Sequence, residues 1–300
     1  MARQNIFGTV FGIDAGMLQL AVFPNLSKRR AGEIVDRIFN FYRNKDVRLV
    51  MPATEARQFR KEEYGLPCVE RMHIDMALSI GGDGTLLGVC RRFREQGIPV
   101  CGINLGTLGF LADIEPPELE SRLGKILIGE YIVEHRLLLS GYVRNELGER
   151  FVGNAINDVV ISKGGGARML KLSTYVNNTH LMDYKADGVI ISSPTGSTAY
   201  SLSAGGPILN PTIRALLLTP ICAHSFQMRP LVVSEDDEIC IKIAANRDLM
   251  VTLDGQEIVQ IQPNDEVVVR KSRSVAKIVK FPDKNYYDVL KAKLWNTKEG

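Results

Sequence analysis

The stretch Gly81-Gly82-Asp83-Gly84-Thr85 decides the fold of this chain. It follows an apolar run at residues 76–80 and precedes a second one at residues 86–90. This order predicts a buried strand, a glycine turn and the start of a helix. Glycine permits positive φ and lets backbone N–H groups approach a phosphate, and the N-terminus of a helix favours an anion. The sequence therefore predicts a turn that handles phosphate.

Asp83 is the unusual member of this turn. A carboxylate repels phosphate unless it holds a metal ion or accepts a proton, so its presence suggests phosphoryl transfer. The two roles, proton acceptor and metal ligand, both stay open. The alternative is an ordinary strand-to-helix turn in which Asp83 caps the helix.

Composition limits the class of protein. The chain has 300 residues, 45% hydrophobic and 24% charged, which is enough for two globular domains. A net charge of +3 without a long basic run argues against nucleic-acid or membrane partners. The five cysteines are scattered without a C-x-x-C pair, and the first residues lack a signal-peptide pattern. We therefore expect a cytoplasmic protein without a disulfide or zinc framework.

Strand and helix patterns alternate in the first part of the chain, which predicts a parallel sheet covered by helices. Ser27 is the predicted N-cap of the first helix. Strands are predicted at 18–23, 47–51, 76–80 and 98–103, and helices at 31–42, 54–64, 85–96 and 117–128. Short β-rich segments then run from residue 137 to 269, followed by a helix at 286–295.

These patterns predict an α/β domain joined to an all-β domain. The boundaries we expect are an N-terminal extension at 1–17, the α/β domain at 18–116, a mainly β domain at 117–281 and a C-terminal helical segment at 282–300. We expect that last helix to pack back against the α/β domain.

Two further glycine-rich segments carry candidate ligand contacts. The segment 102–111 also follows a predicted strand, so two adjacent strands would end in glycine turns and form a crevice where such folds bind ligands. The alternative is that these glycines only allow a turn to pack tightly and bind no ligand. The segment 194–207 is crowded with small hydroxyl side chains, which can hydrogen-bond a nucleotide without large charges. Its alternative is a turn of the β domain.

Three smaller features have simpler alternatives. Asn157-Asp158 interrupts an apolar segment and suits the polar edges of a base or ribose, although a bulge or Asx turn is equally consistent. Asp254-Gly255-Gln256 is by itself most simply a β-hairpin turn. His224 suits either a structural or a catalytic role. No P-loop, zinc or oxidoreductase dinucleotide motif occurs.

Taken together and in this order, these segments resemble the NAD kinase family over residues 18–295. Phe281-Pro282-Asp283 with Tyr286-Tyr287 matches the family's C-terminal pattern. The GGDGT turn alone is shared with diacylglycerol-type lipid kinases and is related to that of phosphofructokinases. The run at 194–207 distinguishes NAD kinases from both.

The resemblance implies transfer of the γ-phosphoryl group of ATP to the 2′-hydroxyl of the adenosine ribose of NAD, which gives NADP. It also implies a Rossmann-like N-terminal domain, an all-β C-terminal domain, a divalent metal such as Mg²⁺ and a homodimer or homotetramer. No dedicated protein ligand set for the metal is evident.

The resemblance also assigns site residues. Asp83 corresponds to the proton acceptor. The NAD-binding positions are Asp83, Gly84, Asn157, Asp158, Arg168, Lys185, Asp187, Thr198, Ala199, Tyr200, Ser201, Leu202, Ser203 and Gln256. Further candidates for nucleotide or phosphate contacts are Gly81, Gly82, Thr85, Asn104, Phe110 and His224.

Some positions depart from the family pattern. Asp158 stands where Glu is usual, Lys185 where Arg also occurs, and Ala223 where proline is often found. Arg168 falls at a variable position. A lipid or sphingoid kinase and a non-catalytic NAD(P)-binding regulator stay as alternatives, and the use of polyphosphate, the acceptance of NADH and inhibition by NADP(H) stay open.

Overall fold

The computed structural model describes residues 17–164, 169–224, 228–244 and 249–295. The first part of the chain forms β1 (Leu18–Pro24), α1 (Ala31–Tyr42), β2 (Val47–Pro52), α2 (Ala53–Gln58), β3 (Gly65–Leu66), β4 (Met76–Gly81), α3 (Asp83–Arg92), β5 (Val100–Asn104) and α4 (Leu119–Leu127).

The second part is mostly strands, with one short helix inside it and one helix after it. It forms β6 (Ile132–Asn145), β7 (Gly148–Ala155), β8 (Asp158–Lys163), β9 (Leu170–Val176), β10 (Thr179–Ala186), β11 (Gly188–Ser192), α5 (Tyr200–Ser203), β12 (Ala215–Ile221), β13 (Leu231–Ser234), β14 (Ile239–Ala244), β15 (Leu249–Leu253), β16 (Glu257–Ile261), β17 (Glu266–Lys280) and α6 (Tyr286–Leu294). The chain divides into two compact units, residues 136–275 and the remainder on either side of them.

The first unit contains a parallel sheet in the order β3-β2-β1-β4-β5. The end of β17 pairs with β5 in the same direction. All six residues of β4 are buried, as expected for a central strand of a parallel sheet. The predicted parallel sheet is therefore confirmed. Its strand order reverses between β1 and β4, and open α/β sheets bind ligands at such a point.

Helix α1 shows why the sequence predicts this unit well. Its apolar residues recur every three or four positions, and they are the buried ones: Ala31, Ile34, Val35, Ile38, Phe39 and Tyr42. They join the buried strand residues in one core. Burying one such side chain contributes about 1.5–3 kcal/mol relative to leaving it exposed.

Two local predictions in this unit are wrong. Ser27 does not cap α1, because the N-cap position is Arg30 and the Ser27 hydroxyl donates to the Asn25 side chain at 2.7 Å. The helix predicted at 54–64 ends at Gln58, and only a 3₁₀ turn follows at Glu62–Tyr64. Arg60 adopts a φ of 55°, a left-handed conformation that breaks the helix.

The second unit is built from antiparallel strands, so the predicted all-β part is confirmed. One sheet has the order β13-β12-β11-β8-β15-β16. The strands β10, β9, β14 and the first part of β17 pair in a second sheet, and buried Val, Ile and Leu side chains from strands of both sheets form one core. Strand β8 lies at the centre of the first sheet, between β11 and β15.

None of the described helices is both long and apolar enough to cross a membrane.

Candidate functional site

The Asp83 carboxylate binds a loop of its own unit through three consecutive backbone amides. Its Oδ2 accepts the N–H of Phe110 at 2.8 Å, and its Oδ1 accepts those of Leu111 and Ala112 at 3.1 Å each. Asp83 is the first residue of α3, whose N-cap position is Gly82. The GGDGT turn and the glycine segment after β5 are thus joined by one side chain. Strands β4 and β5 end side by side, with Gly81 opposite Asn104.

Asn104 shapes the same loop from inside. This buried side chain donates from Nδ2 to the Thr107 carbonyl at 3.1 Å and to Glu115 Oε1 at 2.9 Å. Its Oδ1 accepts the Gly106 N–H at 3.1 Å. Both Nδ2 hydrogens and one acceptor site of Asn104 are therefore used within the loop.

The C-terminal segment fixes the far end of this loop. Lys280 donates to the Phe110 carbonyl at 3.2 Å and to Asp113 Oδ1 at 3.1 Å. The Phe281 N–H donates to Asp113 Oδ2 at 2.9 Å. The Phe110 ring lies 6.2 Å from that of Tyr286 in α6, and the Lys293 ammonium lies 4.4 Å from it. The C-terminal Phe-Pro-Asp pattern therefore supports the loop that Asp83 holds.

Asn25 completes the turn at the point where the strand order reverses. Its backbone N–H donates to the Ile80 carbonyl at 2.8 Å, and its Nδ2 donates to Thr85 Oγ1 at 2.9 Å. A Cβ at Gly81 would lie 2.2 Å from Thr85 Oγ1, so only glycine fits there. Asn25 directly follows β1, and no sequence motif marks it for this role.

In the second unit, Asp254 repeats the arrangement seen at Asp83. Its Oδ1 accepts the N–H groups of Asn157 at 2.7 Å and Asp158 at 3.3 Å, and its Oδ2 accepts that of Ile156 at 3.1 Å. The Asp254 N–H in turn donates to the Asp158 carbonyl at 3.0 Å. The predicted hairpin turn between β15 and β16 is confirmed. The role of its aspartate in binding residues 156–158 was not predicted.

The turn at 193–198 contacts the same residues. Ser193 Oγ donates to the Ile156 carbonyl, and the Ser193 N–H donates to the Asn157 carbonyl at 2.9 Å. A Cβ at Gly196 would lie 2.0 Å from the Asn157 oxygen, so the two backbones touch. Strand register explains this, since Asp158 pairs with Ser192 and Val159 with Leu253. Three distant motifs therefore meet at the start of β8.

Within the predicted NAD-binding run 198–203, the side chains have different surroundings. Ser201 is fully buried, and its hydroxyl lies 2.8 Å from that of Thr219. Tyr200 is 46% exposed, and Ser203 is exposed as well. Thr198 is half-buried and donates to the Thr195 carbonyl at 3.3 Å. Tyr200 is thus the large side chain that this turn presents to solvent.

The other predicted residues of this unit lie on its strands and turns. Asp187 forms an ion pair with Lys163 at 2.6 Å, and the His224 N–H donates to the Lys185 carbonyl at 2.8 Å. Gln256 is exposed on the hairpin turn. Arg168 lies outside the described residues, as does most of the predicted extension 1–17.

Asp158 has a shifted pKa. It is buried, and burial together with the nearby Asp254 carboxylate raises the pKa of Asp158 from its ordinary 3.8 to about 7. Burial disfavours the charged form, and a like charge adds to that effect.

The described residues do not fit a metal centre built by the protein. Among them, no group of three or more His, Cys, Asp or Glu side chains is arranged to hold a metal ion. The Asp83 oxygens are directed at three N–H donors.

Two domains of one protein family match most of this chain. Residues 20–131 match the ATP-NAD kinase N-terminal domain, and residues 156–281 match the ATP-NAD kinase C-terminal domain. The chain belongs to the ATP-NAD kinase family. It is therefore a kinase, and the family predicted from its motifs is confirmed.

Individual relatives agree with this assignment. The chain is 39% identical over 285 residues to the NAD kinase of Moorella thermoacetica, which covers 95% of this chain and 90% of the relative. It is 44% identical over 222 residues to that of Carboxydothermus hydrogenoformans, covering 74% and 79%.

Two solved structures share the fold. Yeast NADH kinase complexed with NADH has a TM-score of 0.85 at 26% identity, covering 95% of this chain and 89% of the other. An NAD kinase from Archaeoglobus fulgidus in complex with ATP has a TM-score of 0.72 at 25% identity, covering 92% and 98%.

Gly109→Ala is expected to destabilise the loop that Asp83 holds. The new Cβ would lie 2.2 Å from Asp83 Oδ1, and the carboxylate cannot move away without losing its N–H donors. We expect a loss of about 1–3 kcal/mol in the free energy of unfolding, measured by urea denaturation. Gly106→Ala is the control, because its Cβ would meet only Asn104 Oδ1 at 3.8 Å. Equal losses in both variants would contradict the described contact.

Asp158→Asn is expected to change how stability depends on pH. The folded chain holds the Asp158 proton more tightly than the unfolded chain, so the stability contributed by this group falls as pH rises from 3.8 to about 7. Asparagine cannot ionise. Relative to the wild type, the free energy of unfolding of the variant should therefore be about 2 kcal/mol higher at pH 8 than at pH 5. The same difference at both pH values in urea titrations would refute this expectation.

Proposed function

We propose that this chain transfers the γ-phosphoryl group of ATP to the 2′-hydroxyl of the adenosine ribose of NAD, with Asp83 as the proton acceptor. Family membership supports the substrates. The observation that carries the catalytic assignment is the placement of Asp83, a half-buried carboxylate in the glycine turn beside the point where the strand order reverses.

The hydrogen bonds of Asp83 are compatible with this role. An ionised carboxylate offers about four lone-pair sites, and the three loop amides use three of them. One acceptor site is left for a hydroxyl. A ribose hydroxyl is a poor nucleophile at neutral pH, so a carboxylate that takes its proton as the new bond forms lowers the barrier. The loop amides keep the carboxylate in one orientation.

The remaining catalysis is assigned to positioning. We assign NAD contacts to Gly84, to the Asn157-Asp158 pair, to Lys185 and Asp187, to the run 198–203 and to Gln256, with Arg168 as a further candidate. Gly81, Gly82, Thr85, Asn104, Phe110 and His224 are assigned possible nucleotide or phosphate contacts, and for Asn104 the contacts within its own loop favour an indirect role. Holding both substrates in line supplies much of the rate in phosphoryl transfer.

A divalent metal such as Mg²⁺ belongs to the proposal as a companion of the nucleotide. It would neutralise phosphate charge when bound. Because the described residues form no metal centre, we assign its ligands to phosphate oxygens and water. We also propose a homodimer or homotetramer in the cytoplasm, on the strength of the family resemblance.

The proposal is tested by incubating the purified chain with NAD, ATP and Mg²⁺ and measuring NADP with an NADP-specific dehydrogenase. We expect NADP to form in proportion to enzyme and time. NAD binding in calorimetry without NADP formation would contradict the proposal and indicate a regulator on the same fold.

Asp83→Asn is expected to lower kcat by about 10²–10⁴-fold, because it removes the proton acceptor while keeping the size of the side chain. Gly109→Ala, which disturbs the loop but keeps the carboxylate, should lose less activity than Asp83→Asn. Asp75→Asn is the matched control, since Asp75 accepts the Gln19 N–H at 2.7 Å in the same unit. Near-normal turnover in Asp83→Asn would exclude the base role.

A further inference from the structure

Asp254 has a geometry that a simple hairpin turn does not require. In a hairpin turn the side chain of the first turn residue is free to face solvent. Here the Asp254 carboxylate accepts three consecutive N–H groups from a different strand connection, at 2.7–3.3 Å. Its φ of 50° and that of Gly255, 64°, are both positive, as a type I′ turn requires.

The three amides belong to the residues that link β7 to β8. Asn157 lies in this link and Asp158 begins β8, and the carbonyl groups of Ile156 and Asn157 accept hydrogen bonds from Ser193. The Gly196 backbone packs directly against Asn157. The link is therefore held on its N–H side by one carboxylate and on its C=O side by the turn at 193–198. Asn157 itself is half-buried.

We propose that Asp254 is a positioning residue for NAD binding, which sets the backbone shape that presents Asn157 and Asp158 to the dinucleotide. The inference rests on the proposed function, since it takes NAD as the ligand of this pair. Asp254 acts through residues 156–158 and is assigned no contact with the substrate.

The charge of Asp254 also affects the ionisation of Asp158. The Asp254 carboxylate adds to the burial that raises the pKa of Asp158. Removing the Asp254 charge removes the smaller of these two contributions and should lower that pKa. Geometry and charge can therefore be separated by two variants that lose the same charge but different numbers of hydrogen bonds.

The variants are Asp254→Asn and Asp254→Gly, both of which tolerate positive φ. Asparagine keeps one acceptor for Asn157 and Asp158 but turns an amide donor towards the Ile156 N–H, whereas glycine removes all three bonds. We expect KM for NAD to rise about 10-fold in the Asn variant and further in the Gly variant. KM for ATP and kcat at saturating NAD should stay within about 3-fold of wild type. The pH midpoint of KM for NAD should shift to lower pH in both, because both remove the Asp254 charge.

Asp265→Asn is the matched control. Asp265 is also a buried turn aspartate of the same unit, and it accepts the Gln262 N–H at 2.8 Å. It should leave both KM values unchanged. Dissociation constants for NAD from calorimetry without ATP should follow the KM values.

The outcomes separate the two proposals. A wild-type chain that forms no NADP refutes the proposed function. An active wild type with unchanged KM for NAD in both Asp254 variants overturns the positioning role. An Asp254→Asn chain that does not fold, or that loses NAD and ATP affinity equally, also overturns it, because Asp254 would then support only the hairpin.

Discussion

One carboxylate on three successive amides is the constraint on which the first unit's site depends. Asp83 binds the N–H groups of Phe110, Leu111 and Ala112 and so fixes the loop after β5 against the start of α3. Without it, three partly buried amides would need other acceptors, and each unsatisfied buried donor costs about 1–3 kcal/mol. The glycines around it follow from the same contact. Gly109 leaves room for the carboxylate, and Gly81 leaves room for the Thr85 hydroxyl.

The second unit contains the same kind of contact, in which one carboxylate accepts three consecutive backbone N–H groups. Asp254, from a glycine turn between antiparallel strands, binds the N–H groups of residues 156–158. In both units an Asp-Gly pair at the end of a strand supplies the acceptor, and the bound loop is the one that carries or adjoins the residues assigned to substrate. In the kinase proposed here, much of the catalysis is positioning. Backbone segments that are held in place before substrate binds therefore favour catalysis.

Much of the fold is predictable from the sequence, because helix and strand periodicity report directly on burial. The spacing in α1 and the apolar run in β4 are clear examples. The sequence also shows the individual motifs, but it does not show that they lie next to one another in the fold. Residues 157, 193 and 254 converge through strand register, with Asp158 opposite Ser192 and Val159 opposite Leu253. A local pattern carries no register, so the role of Asp254 was missed, and Asn25 was missed because one asparagine after a strand carries no motif.

The central claim is that Asp83 holds the loop at 110–112 before any ligand binds. Amide hydrogen exchange in the free chain tests it most directly, since hydrogen-bonded amides exchange only when the structure opens. We predict that the amides of Phe110, Leu111 and Ala112 are protected in the wild type and that the Ile114 amide, which bonds to the Gly102 carbonyl at 3.0 Å, is protected in both wild type and Asp83→Asn. Protection of residues 110–112 should fall selectively in the variant. Exchange of these three amides at the rate of an unprotected loop in the wild type would contradict the account.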